Sequence, residues 1–536
     1  MMTFVAQPPP KPDQTSPDAR RADREIRSYL TMRTQRRRVY PRAALLGLVT
    51  GGVAVAFRWC LEAGAGLRHG LVDLSAPWSW LLSIFWGAAG AALAVFLVRH
   101  FAPEAVGSGI PHLKAVFYRL RTLNWRRLLP VKFVGGVLAI GGGLALGREG
   151  PTIQMGGALG AAFAKVFSSN PGERLALIAA GSGAGLAAAF NAPLAGVVFV
   201  LEEVQRGFTP NVFGAALIAS VTADVVSRFA NGQQPVYDIP FYDTPALGTL
   251  FLYPLLGVLA GVLSVAFTKG LLLALDGAAR LPLKPLVLAA VVGGLVGGVS
   301  IFFPNVIGAG GSLIEQTLAG EVVLWAILPL LLVRYLLTLG SYALGAPGGI
   351  FAPLLVLGAL LGTGLGSVAQ IGFPQLSVNP EALAVVGMAA LFTGVVRAPL
   401  TGVVLIVEMT GNYGQMLPLL LACFTAYAIT EGFRVPPIYE ALLARELKRA
   451  SPSDAVPDEE ALLLTLTVQP GAPFDGQAVR ALGLPNGCIL VTLKRALTVT
   501  ERVVTADTVL EAGDQLTALV SPGASGAVQQ LQEGVG

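Results

Sequence analysis

The sequence predicts an all-α polytopic membrane protein built from two repeated halves with broken helices, followed by a small soluble α/β domain. Three observations predict it. The 536 residues are 54% hydrophobic and only 13% charged, whereas a soluble chain carries about a quarter charged residues. Uncharged runs recur at Leu81–Val98, Gly248–Thr268, Pro285–Ile314, Tyr335–Pro380 and Met409–Thr430, each reaching the roughly 18 apolar-dominated residues of a spanning helix. Finally, "NAPLAGVVFVLEEV" at Asn191–Val204 returns as "RAPLTGVVLIVEMT" at Arg397–Thr410. The strict alternation of a transmembrane barrel is absent.

In chain order, residues 1–40 form a basic tail carrying Arg20, Arg21, Arg24, Arg27, Arg33, Arg36, Arg37 and Arg38, with no apolar leader. Such a cluster stays on the cytoplasmic side, as do Arg434, Arg445, Lys448 and Arg449 after the last apolar run. Both termini are therefore expected in the cytoplasm, with the body, residues 41–450, in the plasma (inner) membrane. The net charge of +5 is read as topological information, and no nucleic-acid partner is expected. Cys60, Cys423 and Cys488 stand apart, and His69, His100 and His112 are scattered, so neither a disulfide framework nor a metal cluster is expected. Walker A, HExxH and GxSxG patterns are missing. No enzyme activity and no cofactor are expected.

The body divides into halves at roughly residues 41–240 and 241–450. Besides the repeat already quoted, "PTIQMGGALG" from Pro151 has a counterpart in "PLLVLGALLG" from Pro353. Repeated halves with glycine-broken helices mark transporter folds whose site lies at the repeat interface. Two cytoplasmic ends fit inverted or parallel halves; the inverted arrangement is preferred because it brings equivalent helix ends to one depth from opposite sides.

Glycine and proline interrupt the membrane runs at "GSGIP" (Gly107–Pro111), "GREGP" (Gly147–Pro151), "GGIFAP" (Gly348–Pro353) and "PPIYEALLARE" (Pro436–Glu446). Each precedes a helix-forming stretch and so starts a helix part-way through the bilayer. A helix start presents unpaired N–H groups and about half a positive charge. Broken backbone at that depth needs something to satisfy it, and a bound anion would do so. One such motif alone reads as a tight turn; four together point to an anion site, with the Ser108 and Tyr439 hydroxyls as neutral donors.

Glu149 sits at one of these starts, where its carboxylate would compete with an anion for the same amides. Protonation would free the carboxyl, and anion binding would raise its proton affinity, so one side chain would both gate and couple. A salt bridge to Arg148 is the plainer alternative, but neighbouring residues at a helix start point apart. The repeat-equivalent residue is Phe351, so the backbone break itself does not require an acid. At the end of the helix from Pro193, Glu202 is matched by Glu408, whereas Glu203 is matched by Met409. The shared acid reads as structural. The unshared Glu203 is assigned as an internal proton residue, against the alternative of a solvated helix end.

Together these motifs resemble the CLC family of chloride channels and proton/chloride antiporters, over about Pro41–Arg449. The resemblance implies a CLC-type fold of two inverted repeats with many tilted and broken helices, and a homodimer with one ion pathway per subunit. It implies chloride coordination by Ser108, Tyr439 and the amides of Ile350 and Phe351, with Gly109 and Ile110 completing the first motif. Glu149 would be the gating glutamate, with Arg148 and Glu202 in supporting positions. Glu203 matches the internal glutamate of antiporter members, so exchange of chloride and protons is expected; a chloride channel is the alternative. Residues 461–525 contain "LLLTLTV" (Leu462–Val468), "CILVTL" (Cys488–Leu493) and "QLTALV" (Gln515–Val520), strand-like runs behind the linker "SPSDAVPDEE". Among them, "GAPFDGQAVRALGLPNGCILVTLKR" (Gly471–Arg495) followed by "VLEAGDQL" (Val509–Leu516) resembles the TrkA-C (RCK-C) domain of potassium-transport regulators. That implies a cytoplasmic regulatory module with an unidentified small ligand or a dimer contact, and it prompts a further alternative, a regulated cation transporter. No potassium-channel filter motif supports that alternative.

Overall fold

The computed structural model describes residues 17–72, 78–168, 171–237, 239, 245–376, 378–449, 462–495, 501–521 and 525–536. The linker at 451–460 and the side chains of Arg20 to Arg36 lie outside the described residues. The chain forms two compact units, one of Met1–Phe117 with Leu123–Arg445 and one of Tyr118–Thr122 with Glu446–Gly536.

The first unit is helical throughout: α1 (Pro17–Val72), α2 (Ser79–Phe101), α3 (Ile110–Phe117), α4 (Trp125–Gly141), α5 (Glu149–Phe167), α6 (Pro171–Phe190), α7 (Pro193–Phe199) and α8 (Pro210–Asn231). The second half follows as α9 (Leu252–Arg280), α10 (Pro285–Phe302), α11 (Gly311–Leu318), α12 (Leu324–Ala343), α13 (Phe351–Gly372), α14 (Pro380–Val396), α15 (Pro399–Thr410) and α16 (Met416–Gly432), and α17 (Ile438–Arg449) closes it. Each half thus lays down eight helices in the same order of long and short, and each has a three-residue 3-10 turn before its third helix, Pro103–Ala105 and Pro304–Val306.

Among the described residues, eight helices are long and apolar enough to cross a membrane. Two of them, Arg37–Arg68 and Asn211–Asn231, are interrupted by charged residues and so show no long uncharged run, although several of these charges are paired. Arg58 donates to Glu62 at 2.7 Å and Arg228 to Asp224 at 2.7 Å, both one turn apart; Arg42 is held by Glu173 on α6. The basic tail is also continuous with the first span, since α1 already begins at Pro17. Two long runs break where glycine and proline gather. The run Pro285–Ile314 leaves helix at Phe303 and re-enters at Gly311, and Tyr335–Pro380 turns between Leu344 and Ile350.

The handedness of the repeat is visible in backbone pairing. Gly147 and Gly349, equivalent when Pro151 is set over Pro353, exchange N–H···O bonds of 2.7 Å in both directions across an antiparallel bridge. α7 and α15, also equivalent, run antiparallel, each ending at the other's beginning. A two-fold axis that exchanges antiparallel equivalent helices runs across them and turns one half over relative to the other, which is the inverted arrangement.

The second unit carries a four-stranded antiparallel sheet in the order β1-β4-β2-β3, with β1 Leu462–Thr467, β2 Cys488–Lys494, β3 Glu501–Val503 and β4 Gln515–Val520. β1 pairs Leu462 with Val520 and Thr467 with Gln515; β2 pairs Cys488 with Val520 through a bulge between Leu490 and Thr492. Leu516, Ala518 and Val520 alternate inward on β4. They pack with Val468, Phe474, Leu510 and Leu531, the last from α18 (Ser525–Val535). The short β3 has no apolar signature, and all three of its residues are exposed.

Candidate anion site

Four helix starts carry the motif residues. α3 begins at Ile110 after Gly107 and Gly109, whose φ of +58° and +78° are open to glycine at little cost. α5 begins at Glu149, α13 at Phe351, and α17 at Ile438 after Pro436 and Pro437. Close backbone approach draws the first three together. A Cβ on Gly150 would stand 2.8 Å from that of Ser108, and one on Gly349 would stand 3.2 Å from the Gly150 amide. On Gly109 it would collide with Gln154, whose Nε2 is tied to the Glu104 carbonyl at 2.8 Å. Ser108, Ile110, Ile350, Phe351 and Tyr439 are all fully buried. The Ser108 hydroxyl accepts a 3.4 Å bond from the Ile110 amide, and the Tyr439 hydroxyl is buried with no hydrogen-bond partner among the described residues. The Phe351 ring packs on Phe392 at 4.3 Å between centroids and on Phe190 and Phe199, which fixes the α13 start.

Glu149 is 2% exposed, and its Oε2 has no hydrogen-bond partner among the described residues. That oxygen would collide with a Cβ on Gly147, and the Ala352 amide lies 3.0 Å from the same point. The carboxylate therefore rests against the first turn of α13. Arg148 does not pair with it; its Nη2 donates to the Ala189 carbonyl at 3.2 Å. On its other side Glu149 faces a cavity of about 330 Å³ lined by Arg58, Arg68, Arg148, Tyr237 and Glu315, among others.

Glu202 and Glu203 part company. The turn that holds them, Val200–Val204, widens to a π turn that α15 lacks. Glu202 accepts from the Leu400 and Thr401 amides at 3.1 and 2.8 Å, capping α15; Glu408 accepts from Leu194 and Ala195 at the same two distances, capping α7. These reciprocal caps are what the shared acids do. Replacing either by alanine strands two amides, so Glu202→Ala and Glu408→Ala are each expected to cost about 1–3 kcal/mol, read as a lower melting temperature in detergent. Glu203 is 1% exposed and accepts from Lys114 Nζ at 2.7 Å.

Residues 90–431, more than half of the chain, match the voltage gated chloride channel family. The chain is a member of that family. Residues 463–532 match the TrkA-C domain. The CLC chain is 42% identical over 376 residues to the H(+)/Cl(-) exchange transporter ClcA of Vibrio parahaemolyticus, covering 69% of this chain and 80% of that one. It is 38% identical over 430 residues to the transporter of the same name from Citrobacter koseri, covering 78% and 91%. Among solved structures, a slow cyanobacterial Cl−/H+ antiporter superposes with a TM-score of 0.75 at 34% identity, over 77% of this chain and 98% of that one.

Three fully buried cations among the described residues of this CLC chain, Lys132, Arg334 and Lys114, lie outside the motifs or unremarked beside them. Lys132 on α4 donates to the Ala105 and Gly107 carbonyls at 2.9 and 2.7 Å, directly before Ser108. Its counterpart Arg334 on α12 donates to the Val306 and Ala309 carbonyls at 2.5 and 3.0 Å. The pair pins equivalent loops in the two halves. Lys114, the third, lies one turn beyond Ile110 on α3. The signal was available in each case, since a cation within a stretch assigned to the membrane interior requires a partner.

Proposed function

We propose that this CLC chain exchanges chloride for protons across the membrane. It holds the anion at the starts of α3, α5, α13 and α17 and gates it with Glu149. One observation carries the reading: a buried carboxylate with an unpartnered oxygen occupies the first turn of α13, where anion binding is most favourable. Chloride approaching that berth must displace it, and a proton relieves the competition. Ser108, with the Gly109–Ile110 backbone, and Tyr439 contribute neutral donors; with the Ile350 and Phe351 amides they can bind a halide and still release it. Lys132 adds positive potential without touching the berth. The relation to named H(+)/Cl(-) exchange transporters supports the same activity. It also supports reading the chain as a transporter.

The deciding experiment is chloride-driven proton pumping by the purified protein in liposomes. A channel is the second reading, and under it the reversal potential would ignore a pH gradient. Glu203, alone of its pair in facing inward, is read as the internal proton donor and acceptor. Glu203→Gln is expected to reduce proton pumping to background while chloride flux persists; undiminished coupling would reduce Glu203 to a packing acid. We further read the chain as a homodimer of the inner membrane with both termini cytoplasmic. Its membrane domain is taken as residues 41–450 and its regulatory domain, open to a small ligand, as residues 461–525.

A further inference from the structure

We infer that Lys114 is a positioning residue shared between Glu203 and Glu440, and that with Glu440 it forms a latch between α3 and α17. The inference rests on the proton role just given to Glu203. α3 is only eight residues long; Ser108 stands before its first turn and Lys114 in its second. α17 carries Tyr439 and, next in sequence, Glu440. Lys114 Nζ is fully buried and bonds both Glu203 Oε1, at 2.7 Å, and Glu440 Oε1. The two elements that supply the hydroxyl donors are thus tied by a bond one residue from Tyr439.

The charges facing this ammonium come from two places. Glu203 comes from the Val200–Val204 turn, with Arg206 just after it, and Glu440 from α17, beside the Tyr439 hydroxyl. His112, on α3 itself, turns instead to Gln154 at 3.4 Å. Arg206 also bonds Glu440, but it is 41% exposed, so solvent screens its hold. The buried ammonium is the effective partner. When Glu203 is ionised, Lys114 divides its attraction between two carboxylates. When Glu203 takes a proton, the whole of that attraction falls on Glu440, and α3 is drawn to α17 beneath Ser108 and Tyr439. A proton arriving at Glu203 would therefore narrow, without sealing, the gap through which chloride leaves, so chloride passage slows while the proton is held.

The test compares chloride efflux from liposomes for three purified proteins: E203Q, E203Q/E440Q and K114M/E203Q/E440Q. In E203Q the neutral amide mimics the protonated acid, so Lys114 binds Glu440 alone and the latch is engaged. Removing the acceptor, or the latch altogether, is expected to raise chloride efflux several-fold above the E203Q rate. The triple variant leaves no buried charge of the latch unpaired, so it decides the matter if E203Q/E440Q does not assemble. Equal or slower efflux in the triple variant would overturn the latch. Proton pumping by E203Q itself is a separate readout: its persistence would reject the proton role of Glu203, whatever the chloride rates.

Discussion

Glu149→Gln is expected to reduce proton transport to background and to leave chloride flux running, now without dependence on pH. The position of the carboxylate gives the reason. Its Oε2 is buried, unpartnered and set against Gly147 beside the Ala352 amide, so in the ionised form it occupies the berth an anion would take. The amide of glutamine has nearly the same shape and lacks both the negative charge and the titrating proton. It cannot exclude chloride electrostatically and cannot carry a proton across. Chloride efflux and chloride-driven proton uptake, measured on the same liposomes, should therefore separate in this variant while they move together in the parent chain. Persistent proton pumping in Glu149→Gln would remove Glu149 from the pathway. The plainer alternative, that Glu149 is a salt-bridge partner of Arg148, predicts mainly lost stability; Arg148 is instead bonded to the Ala189 carbonyl.

The breaks in the membrane runs were the most legible part of the chain, and for a physical reason. Gly107, Gly109 and Gly345 adopt left-handed backbone that other residues reach only under strain, so the composition of these motifs reports the chain path directly. α3, α5 and α13 accordingly start inside the quoted motifs. Helices whose ionic groups are paired internally were not legible. A window that rejects charge passes over Arg58 with Glu62 and Asp224 with Arg228, although each pair largely cancels within one turn. The buried cations were hidden for a related reason. Lys132 and Arg334 satisfy backbone carbonyls of loops about 25 residues earlier in the chain, and that pairing exists only once the helices are packed. The contrast between Glu202 and Glu203 was legible as a difference between halves, but the π turn that accompanies it was not. In the second unit, three strands were legible as short apolar runs between turns, whereas the exposed β3 shows only in its pairing with β2.

The second large effect is expected in the glycines that let α5 meet α6 and α13 meet α14. A Cβ on Gly156 would collide with the Gly181 carbonyl, and one on Gly181 with the Gly156 carbonyl; Gly358 and Gly387 repeat the arrangement in the second half. Gly160 and Gly362, four residues on, are closed in the same way by the Leu177 and Leu383 carbonyls. In a membrane, where water does not drive helices together, such small-residue seams supply the packing. Here the obstruction is backbone, which cannot rotate away. A single added methyl is therefore expected to cost at least the ~1–3 kcal/mol of ordinary overpacking, and a leucine should exceed what the fold tolerates. Gly156→Leu and Gly358→Leu are expected to give aggregated protein on size exclusion, and Gly156→Ala a clearly lowered melting temperature. Gly52, in α1 with open space around its Cβ position, is the control: Gly52→Ala should be neutral or stabilising by up to ~1 kcal/mol. The seam also bears on transport, because α5 and α13 begin at Glu149 and Phe351. Spreading either helix from its partner moves the helix start, so a folded Gly156→Ala protein should transport chloride more slowly than the parent chain. A Gly156→Leu protein that is monodisperse and melts with the parent would show that α5 and α6 do not pack backbone to backbone.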